Sequence, residues 1–456
     1  MRKILVLALA LSAIYSCQRN NEKDKGKISE TAQPINFPEK IKNMTIYEVN
    51  IRQYTPEGTI SAFIPHINRL KAMGIQTLWL MPVQPIGKKE RKGSLGSYYS
   101  IKNYTAVNSE FGSLKDFKKL VSVAHANGMA VILDWVANHT AFDHEWIARY
   151  PEYYTQDSLG NIIPPVADWS DVADLNYENE DMRAKMTNAM RFWLTETDID
   201  GFRCDMAGMV PLDFWEKAIS SLREEKQILM LAEWESPEIH QAGFDMSYAW
   251  ELHHLTNDIA KGEKNANDLA AYLVKEDSLY KPEDFKLYFT TNHDENSWNG
   301  TVFTRLDSAY RAISVLNFTL TGTPLIYSGQ EAGLNKSLAF FEKDTISWDQ
   351  LPYENWFSDL INLKANNPEL WSAHYGGDFE RISSTNPDNI FAFSRQQEEN
   401  ELIIMTNLSE ETQSFVLDSA YGHTYKDLLS NEEIVFDQNN ITFAPWQYHV
   451  LQKINL

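Results

Sequence analysis

Four acidic residues each close a short apolar stretch and stand beside another polar group. Asp134 follows Met129–Leu133 and lies near Asn138 and His139; Asp205 follows Arg203; Glu233 follows Ile228–Ala232; Asp294 follows His293. Carboxylates brought together in this way suit glycosidic cleavage, in which one carboxyl must hold a proton for the leaving oxygen while another must be ionised. A neighbouring arginine lowers a carboxylate pKa, and burial or a nearby anion raises it. Arg203 stands two residues before Asp205, so on a strand both side chains face one way. That makes Asp205 the anion. Glu233, between an apolar run and Trp234, is the better candidate for the protonated acid. The plain alternative for Arg203 and Asp205 is an ion pair with no chemical task.

These acids need a scaffold that gathers the ends of several strands. Apolar runs alternate with amphipathic stretches from Thr45 onward. Strands are predicted at Ile46–Val49, Gln76–Met81, Met129–Trp135, Ile199–Cys204, Ile228–Ala232, Phe244–Tyr248, Lys286–Thr291 and Pro324–Tyr327. Helical spacing runs over Ile60–Met73, closed by Gly74, and over Leu114–Asn127, closed by Gly128; further helices follow Glu180 and span Ser308–Leu320. Continuous apolar runs are the pattern of strands buried on both faces. Eight of them with intervening helices predict an α/β fold, a parallel (β/α)8 barrel over about residues 41–370. The acids then fall at C-terminal strand ends, where barrels carry their active sites.

Residues 139–179 form one connection too long to be a simple turn and rich in Pro, Asp, Tyr and Trp. Loops longer than about 15 residues are usually functional, so this segment is expected to be an insertion (a B domain) after the third strand. From Gly376 the pattern changes to short β runs punctuated by Asn, Asp and Gly, which predicts a C-terminal antiparallel β-sandwich. The front end reads as an export signal: Arg2 and Lys3, an apolar run Ile4–Ile14, then Ser16 and Cys17. The run is too short for a membrane span, which takes about 20 residues, and Ser16-Cys17 resembles a bacterial lipobox. The expected organisation is therefore a lipoprotein signal peptide at 1–16, a polar tether at 17–40, barrel at 41–138 and 180–372 around the insertion at 139–179, and the closing domain at 373–456. The resemblance implies a lipid on Cys17, export from the cytoplasm and attachment to a bacterial outer membrane, on a side the sequence leaves open. Cys204, the only other cysteine, is then a lone thiol.

The net charge of −22 argues against nucleic acid and against a polybasic membrane surface as partners. Ordinary hydrophobic and charged fractions, 43% and 23%, exclude wholesale disorder and a multi-span membrane protein.

The segments Asp134-Trp135-Val136-Ala137-Asn138-His139, Gly201-Phe202-Arg203-Cys204-Asp205, Ala232-Glu233-Trp234 and Thr291-Asn292-His293-Asp294 resemble, in order and spacing, the signature regions of the α-amylase family (glycoside hydrolase family 13). Gly96-Ser97-Tyr98-Tyr99-Ser100, Asp174-Leu175-Asn176 and Gly322-Thr323-Pro324 extend the match. The resemblance implies a retaining hydrolase of α-1,4-glucosidic bonds in starch-like glucans or maltooligosaccharides. By position it makes Asp205 the nucleophile, Glu233 the acid and then base, and Asp294 the group that binds ring hydroxyls and favours distortion. Arg203 would keep Asp205 ionised, with Asp134 supporting it; His139 and His293 would hydrogen-bond the sugar, and Tyr99 would stack under it. Retention would place the two working carboxyls about 5–5.5 Å apart.

The chain departs from the family pattern at Gly208 and Met209, where many members carry Lys and His on the acceptor side. That keeps open an α-glucosidase, a glucanotransferase or a trehalose-forming isomerase with the same active site. A non-catalytic glycan-binding barrel is a further alternative. Asn138 and Asp174 match positions that hold calcium in many relatives, and hard oxygen ligands suit that ion. Trp79, Trp193 and Trp215 are expected in the core and Trp135, Trp169 and Trp234 near the rim as stacking surfaces. His125 is expected on the surface, and His253-His254 lacks the spacing of a zinc site.

Overall fold

The computed structural model describes residues 37–417, 424–436 and 440–454. The signal segment 1–16, Cys17 and the tether up to residue 36 lie outside the described residues. Eight parallel strands close into a barrel: β1 (Ile46–Val49), β2 (Thr77–Leu80), β3 (Ala130–Val136), β6 (Gly201–Asp205), β7 (Leu229–Ala232), β8 (Met246–Tyr248), β9 (Phe285–Tyr288) and β10 (Thr323–Tyr327), which returns to β1. The insertion contributes β4 (His139–Ala141) and β5 (Val172–Asp174), an antiparallel pair with His139 opposite Asp174.

Side-chain parity along these strands sets up the chemistry. Ala130 and Ile132 of β3, Leu229 and Leu231 of β7, Ile46 of β1 and Trp79 of β2 belong to one apolar cluster inside the barrel. Val131, Leu133, Trp135, Phe202 and Cys204 belong to the other, between barrel and helices. Successive strand residues point to opposite sides, so the next inward positions toward the C-terminal rim are Asp134, Arg203, Asp205, Glu233 and Glu48. The barrel is thus oily at its base and charged at its mouth. Gly201 opens β6 because nothing larger fits: an added Cβ would lie 2.0 Å from the Leu229 carbonyl oxygen. Phe37–Lys40 form a helical turn, and Phe37 with Ile41 and Met44 closes the base of the inner cluster. This differs from the expected tether, because Phe37 is apolar enough to be drawn into that core.

The stretch predicted as one helix over Ile60–Met73 is broken into Ile60–Phe63, a 3-10 turn Ile64–His66 and Ile67–Met73. Pro65 lacks the amide that a continuous helix needs. Gly74 ends it at φ 103° as a left-handed cap.

The closing domain is a six-stranded antiparallel sheet in the order β11 (Asp378–Ile382), β12 (Ile390–Gln397), β13 (Asn400–Asn407), β18 (Tyr448–Lys453), β15 (Thr424–Asp427), β16 (Glu433–Val435). A two-stranded sheet, β14 (Gln413–Phe415) with β17 (Ile441–Phe443), accompanies it. One face of the large sheet packs Ile390, Ala392, Ile403 and Met405 against Phe415 and Phe443 of the small one. The other face gives Phe391, Phe393, Leu402 and Ile404 to the main cluster shared with the barrel and its helices. Arg395, buried on that same face, donates to three carbonyls: Gly377 at 3.0 Å, Thr319 at 3.0 Å and Trp371 at 3.1 Å. Among the described residues, no helix is long and apolar enough to cross a membrane.

Candidate active site

Arg203 is the hub. Its guanidinium is fully buried and lies 5.0 Å from the centre of the Trp79 ring. Nη1 donates to Asp134 Oδ1 at 2.9 Å and to Asp205 Oδ1 at 3.0 Å. Nη2 pairs with Glu233 Oε1 at 2.9 Å, as an ion contact without hydrogen-bond alignment. Asp205 and Glu233 are therefore held within the span of one guanidinium. Glu233 also accepts from the Met206 amide, 2.9 Å from Oε2. Met206 has φ 43°; this left-handed turn straight after Asp205 aims its N–H at the neighbouring carboxylate.

A second chain of contacts starts at Glu48, the inward residue of β1. His293 Nδ1 lies 2.5 Å from Glu48 Oε1, and His293 Nε2 lies 2.6 Å from the Tyr99 hydroxyl and 3.2 Å from Asp294 Oδ2. Tyr99 donates its hydroxyl hydrogen to Asp134 Oδ2 at 3.1 Å, and Trp79 Nε1 donates to the same oxygen at 3.1 Å. Glu48, His293, Tyr99, Asp134 and Arg203 form one hydrogen-bonded relay around the wall.

Charge in this enclosed space is uneven. Burial raises the Glu233 pKa to about 7, with the Asp205 and Asp294 charges adding to it against Arg203. Burial raises Asp205 to about 6, opposed by Arg203 and reinforced by Asp134 and Asp294. Arg203 lowers Asp205, but burial outweighs it, because one guanidinium serves three carboxylates. Burial lowers His293, but Asp294 and Glu48 outweigh it and hold the imidazole well above its ordinary pKa. It is a cation that donates from both nitrogens. Burial pushes Asp294 up, yet His293 and Arg203 win and keep it below the ordinary carboxylate range. Asp294 is also the open acid: its side chain is 35% exposed, against 11% for Asp205 and 7% for Glu233.

Tyr99, Arg203, Asp205, Glu233, His293 and Asp294 are brought together by these contacts. Asp294 itself sits in the first turn of the helix His293–Trp298, beyond β9, which ends at Tyr288 rather than at Thr291. His139 is buried, lowered to about 4 by that burial, and so neutral, with its ring edge-on to Trp169 at 5.7 Å. His293 is 1% exposed and its nitrogens are already engaged, so it acts through Tyr99 and Asp294 as much as on a sugar.

Several expectations are corrected by parity and pairing. Trp135 is not a rim surface: it alternates with Asp134, points outward, and is wholly buried against Tyr104 and Phe202. Trp234 is half-buried and its ring lies over Gly208, where an added Cβ would fall 2.0 Å from it. His125 is no surface residue; its Nε2 meets buried Asp200 at 2.7 Å. Trp79, Trp193 and Trp215 are buried. Glu48 escaped the sequence reading altogether, although an acid inside an otherwise apolar barrel strand is a usable signal, since such a charge must be paired.

Asn138 and Asp174 do not make a cation cage by themselves. Asn138 Nδ2 faces His139 Nδ1 at 3.4 Å, and Asp174 is hydrogen-bonded to Thr155. Among the described residues no group of three or more His, Cys, Asp or Glu is arranged to hold a metal. Asn138 and Asp174 alone supply fewer oxygen ligands than the roughly six to eight that calcium takes, and no chemistry is routed through that ion.

Comparison with known proteins agrees with this geometry. The profile of the family described as "Alpha amylase, catalytic domain" matches residues 19–159 and 166–380. The alpha-amylase MalA of Haloarcula japonica is 25% identical over 421 residues, 88% of this chain and 60% of that protein, so the chain spans about three fifths of that relative's length. A noncanonic maltogenic alpha-amylase, AmyB of Thermotoga neapolitana, superposes with a TM-score of 0.83 at 29% identity, covering 91% of this chain and 100% of that one. An alpha-amylase from Lactobacillus plantarum gives 0.83 at 28%, covering 91% and 99%. The profile match over most of the chain, on a barrel whose mouth holds these acids around one arginine, places the protein in the alpha-amylase family of glycoside hydrolases.

Proposed function

We propose that the protein hydrolyses α-1,4-glucosidic bonds of starch-like glucans or maltooligosaccharides with retention at the anomeric carbon. The observation that carries this reading is the pair Asp205 and Glu233 on one guanidinium, with the higher pKa on Glu233. Protonated Glu233 gives its proton to the glycosidic oxygen while Asp205 attacks the anomeric carbon; the C–O bond breaks and a covalent glucosyl ester forms. Ionised Glu233 then takes a proton from water, whose oxygen bonds the anomeric carbon and releases Asp205. Asp294, open and ionised, accepts from ring hydroxyls as the sugar flattens. Tyr99 lies under the ring, His139 offers a neutral imidazole, and Arg203 keeps the acids in register.

Transfer to a second sugar in place of water is the second reading. It is favoured by Trp234 lying on Gly208, which puts an apolar ring beside Glu233 where a Lys side chain could not fit. Anomer analysis by NMR during cleavage of maltopentaose tests the first reading: the α-anomer must appear first. Longer chains early in a maltoheptaose digest would favour transfer.

The proposal extends to place. Arg2, Lys3, the run Ile4–Ile14 and Ser16-Cys17 support export and a lipid on Cys17. Metabolic labelling with a fatty-acid analogue should mark the wild type and not Cys17→Ala.

A further inference from the structure

Trp298 is the one aromatic ring among the exposed large apolar side chains of the described residues, at 56% exposure. It stands one helical turn after Asp294 on the helix His293–Trp298, so both project from the same face. Asp294 takes a hydrogen bond from the Trp298 side chain. The ring lies 5.2 Å from Phe340, which is itself nearly parallel to Tyr99 at 6.2 Å and 11°. Tyr99 stacks in turn on His293 at 5.4 Å and 22°. Four rings thus run as a file from the pocket wall to solvent.

The file is rigidly mounted. Asn296, in the same helix, donates to the Lys336 carbonyl at 3.0 Å and accepts from the Leu338 amide at 2.9 Å. The Phe340 carbonyl accepts from Arg52 at 3.3 Å. An exposed tryptophan braced at its base loses little freedom when a ligand covers it.

Ring order around the barrel gives it a side. Glu233 and Asp205 follow β7 and β6, whereas Trp298, Phe340 and Tyr99 follow β9, β10 and β2, with β1 between the last two. Glu233 protonates the leaving oxygen, so the departing chain lies toward β7. The file lines the other half of the mouth, where the sugar kept on the enzyme continues.

We propose that Trp298 and Phe340 form a stacking platform for the glucosyl unit on the non-reducing side of the one being cleaved. The ligand is a chain with at least two sugars on that side, held by the flat C–H face of the second ring against the indole. This rests on the reading of the site as a retaining α-amylase-type centre and specifies its substrate.

The test compares p-nitrophenyl α-glucoside with p-nitrophenyl α-maltoside. Trp298→Ala should lower kcat/KM for the maltoside roughly tenfold or more beyond its effect on the glucoside. Trp298→Phe, which keeps a ring and loses the indole N–H, should recover most of that difference. Equal loss on both substrates, or no rescue by Phe, would overturn the platform and leave Trp298 acting only through Asp294. A binding arm is independent of turnover: in an Asp205→Asn background, maltotetraose should bind roughly tenfold or more weakly when Trp298 is replaced by Ala. Unchanged affinity there refutes the proposal. Should the wild type release no sugar from maltopentaose, the hydrolytic reading fails on its own, and the binding arm still decides the platform, as it does if neither aryl glycoside is cleaved.

Discussion

Glu48 offers the sharpest test of how the pocket sets its charges. Its carboxylate lies 2.5 Å from His293 Nδ1, and both side chains are almost wholly enclosed. Burial alone would push the imidazole below its ordinary pKa; Asp294 and Glu48 reverse that. Glu48→Gln keeps the shape and an acceptor while removing one of the two charges. An opposing charge at this range is worth about 1–3 pKa units, and with Asp294 still present we take about 1–2. That makes cationic His293 about 10–100-fold scarcer in the variant once the pH exceeds the His293 pKa of both proteins. The sign follows. In the wild type His293 stays charged through neutrality; in the variant it loses its proton at lower pH, so the defect grows as pH rises. The assay is kcat/KM on maltopentaose from pH 5 to 8 for both proteins, with the His293 imidazole titrated by NMR. The wild-type to variant ratio should be smallest at the acid end and climb toward about 10–100 at the alkaline end. A ratio flat across the range, or His293 titrating alike in both proteins, would refute the reasoning.

Further expectations follow from the same contacts. Asp205→Asn and Glu233→Gln should each cut kcat by at least about a thousandfold while keeping the thermal transition, since the first removes a charge from a crowded pocket and the second replaces a protonated acid by a neutral isostere. The wild-type kcat/KM should trace a narrow bell: activity falls below about 6 as Asp205 gains a proton and above about 7 as Glu233 loses one. These are apparent values of the pair, and a plateau from pH 4 to 9 would contradict them. Gly208→Ala should shift the ratio of transfer to hydrolysis on maltoheptaose, because its methyl would force the Trp234 ring aside; an unchanged product profile would show that the ring has no acceptor role. Chelator treatment tests the calcium expected at Asn138 and Asp174: a melting temperature lowered by more than about 2 °C supports a bound cation there, and an unchanged one argues against it.

What the sequence discloses is tied to parity and run length. Asp134, Asp205 and Glu233 are legible because each ends an apolar run, and strand alternation puts them on the inner side. The same rule, applied strictly, sends Trp135 outward and brings Glu48 inward, yet residue type overrode it in both cases: a tryptophan near a polar motif looks like a binding surface, and an acid within Ile46–Val49 looks incidental. The seventh strand was extended to Thr291 because Phe289, Thr290 and Thr291 continue its β-favouring composition; these residues instead lead into the helix whose cap is Asn292. Trp234 and Gly208 could not have been linked without coordinates, since 25 intervening positions separate them and only the barrel brings them into contact. Pairings such as Arg203 with Glu233 likewise emerge from adjacency of β6 and β7 rather than from any local signal.

The position of Arg395 bears on how this molecule can be cut. Its three carbonyl partners come from the end of a barrel helix, from the connecting segment and from the start of β11's own approach. Deleting everything after the connector would strand the Thr319 and Trp371 carbonyls and uncover the apolar helix surface that Phe391, Phe393, Leu402 and Ile404 cover. The trailing β region is thus the last stave-hoop of the catalytic body, not a removable accessory, and stopping the gene at its border should yield inclusion bodies rather than a smaller working hydrolase.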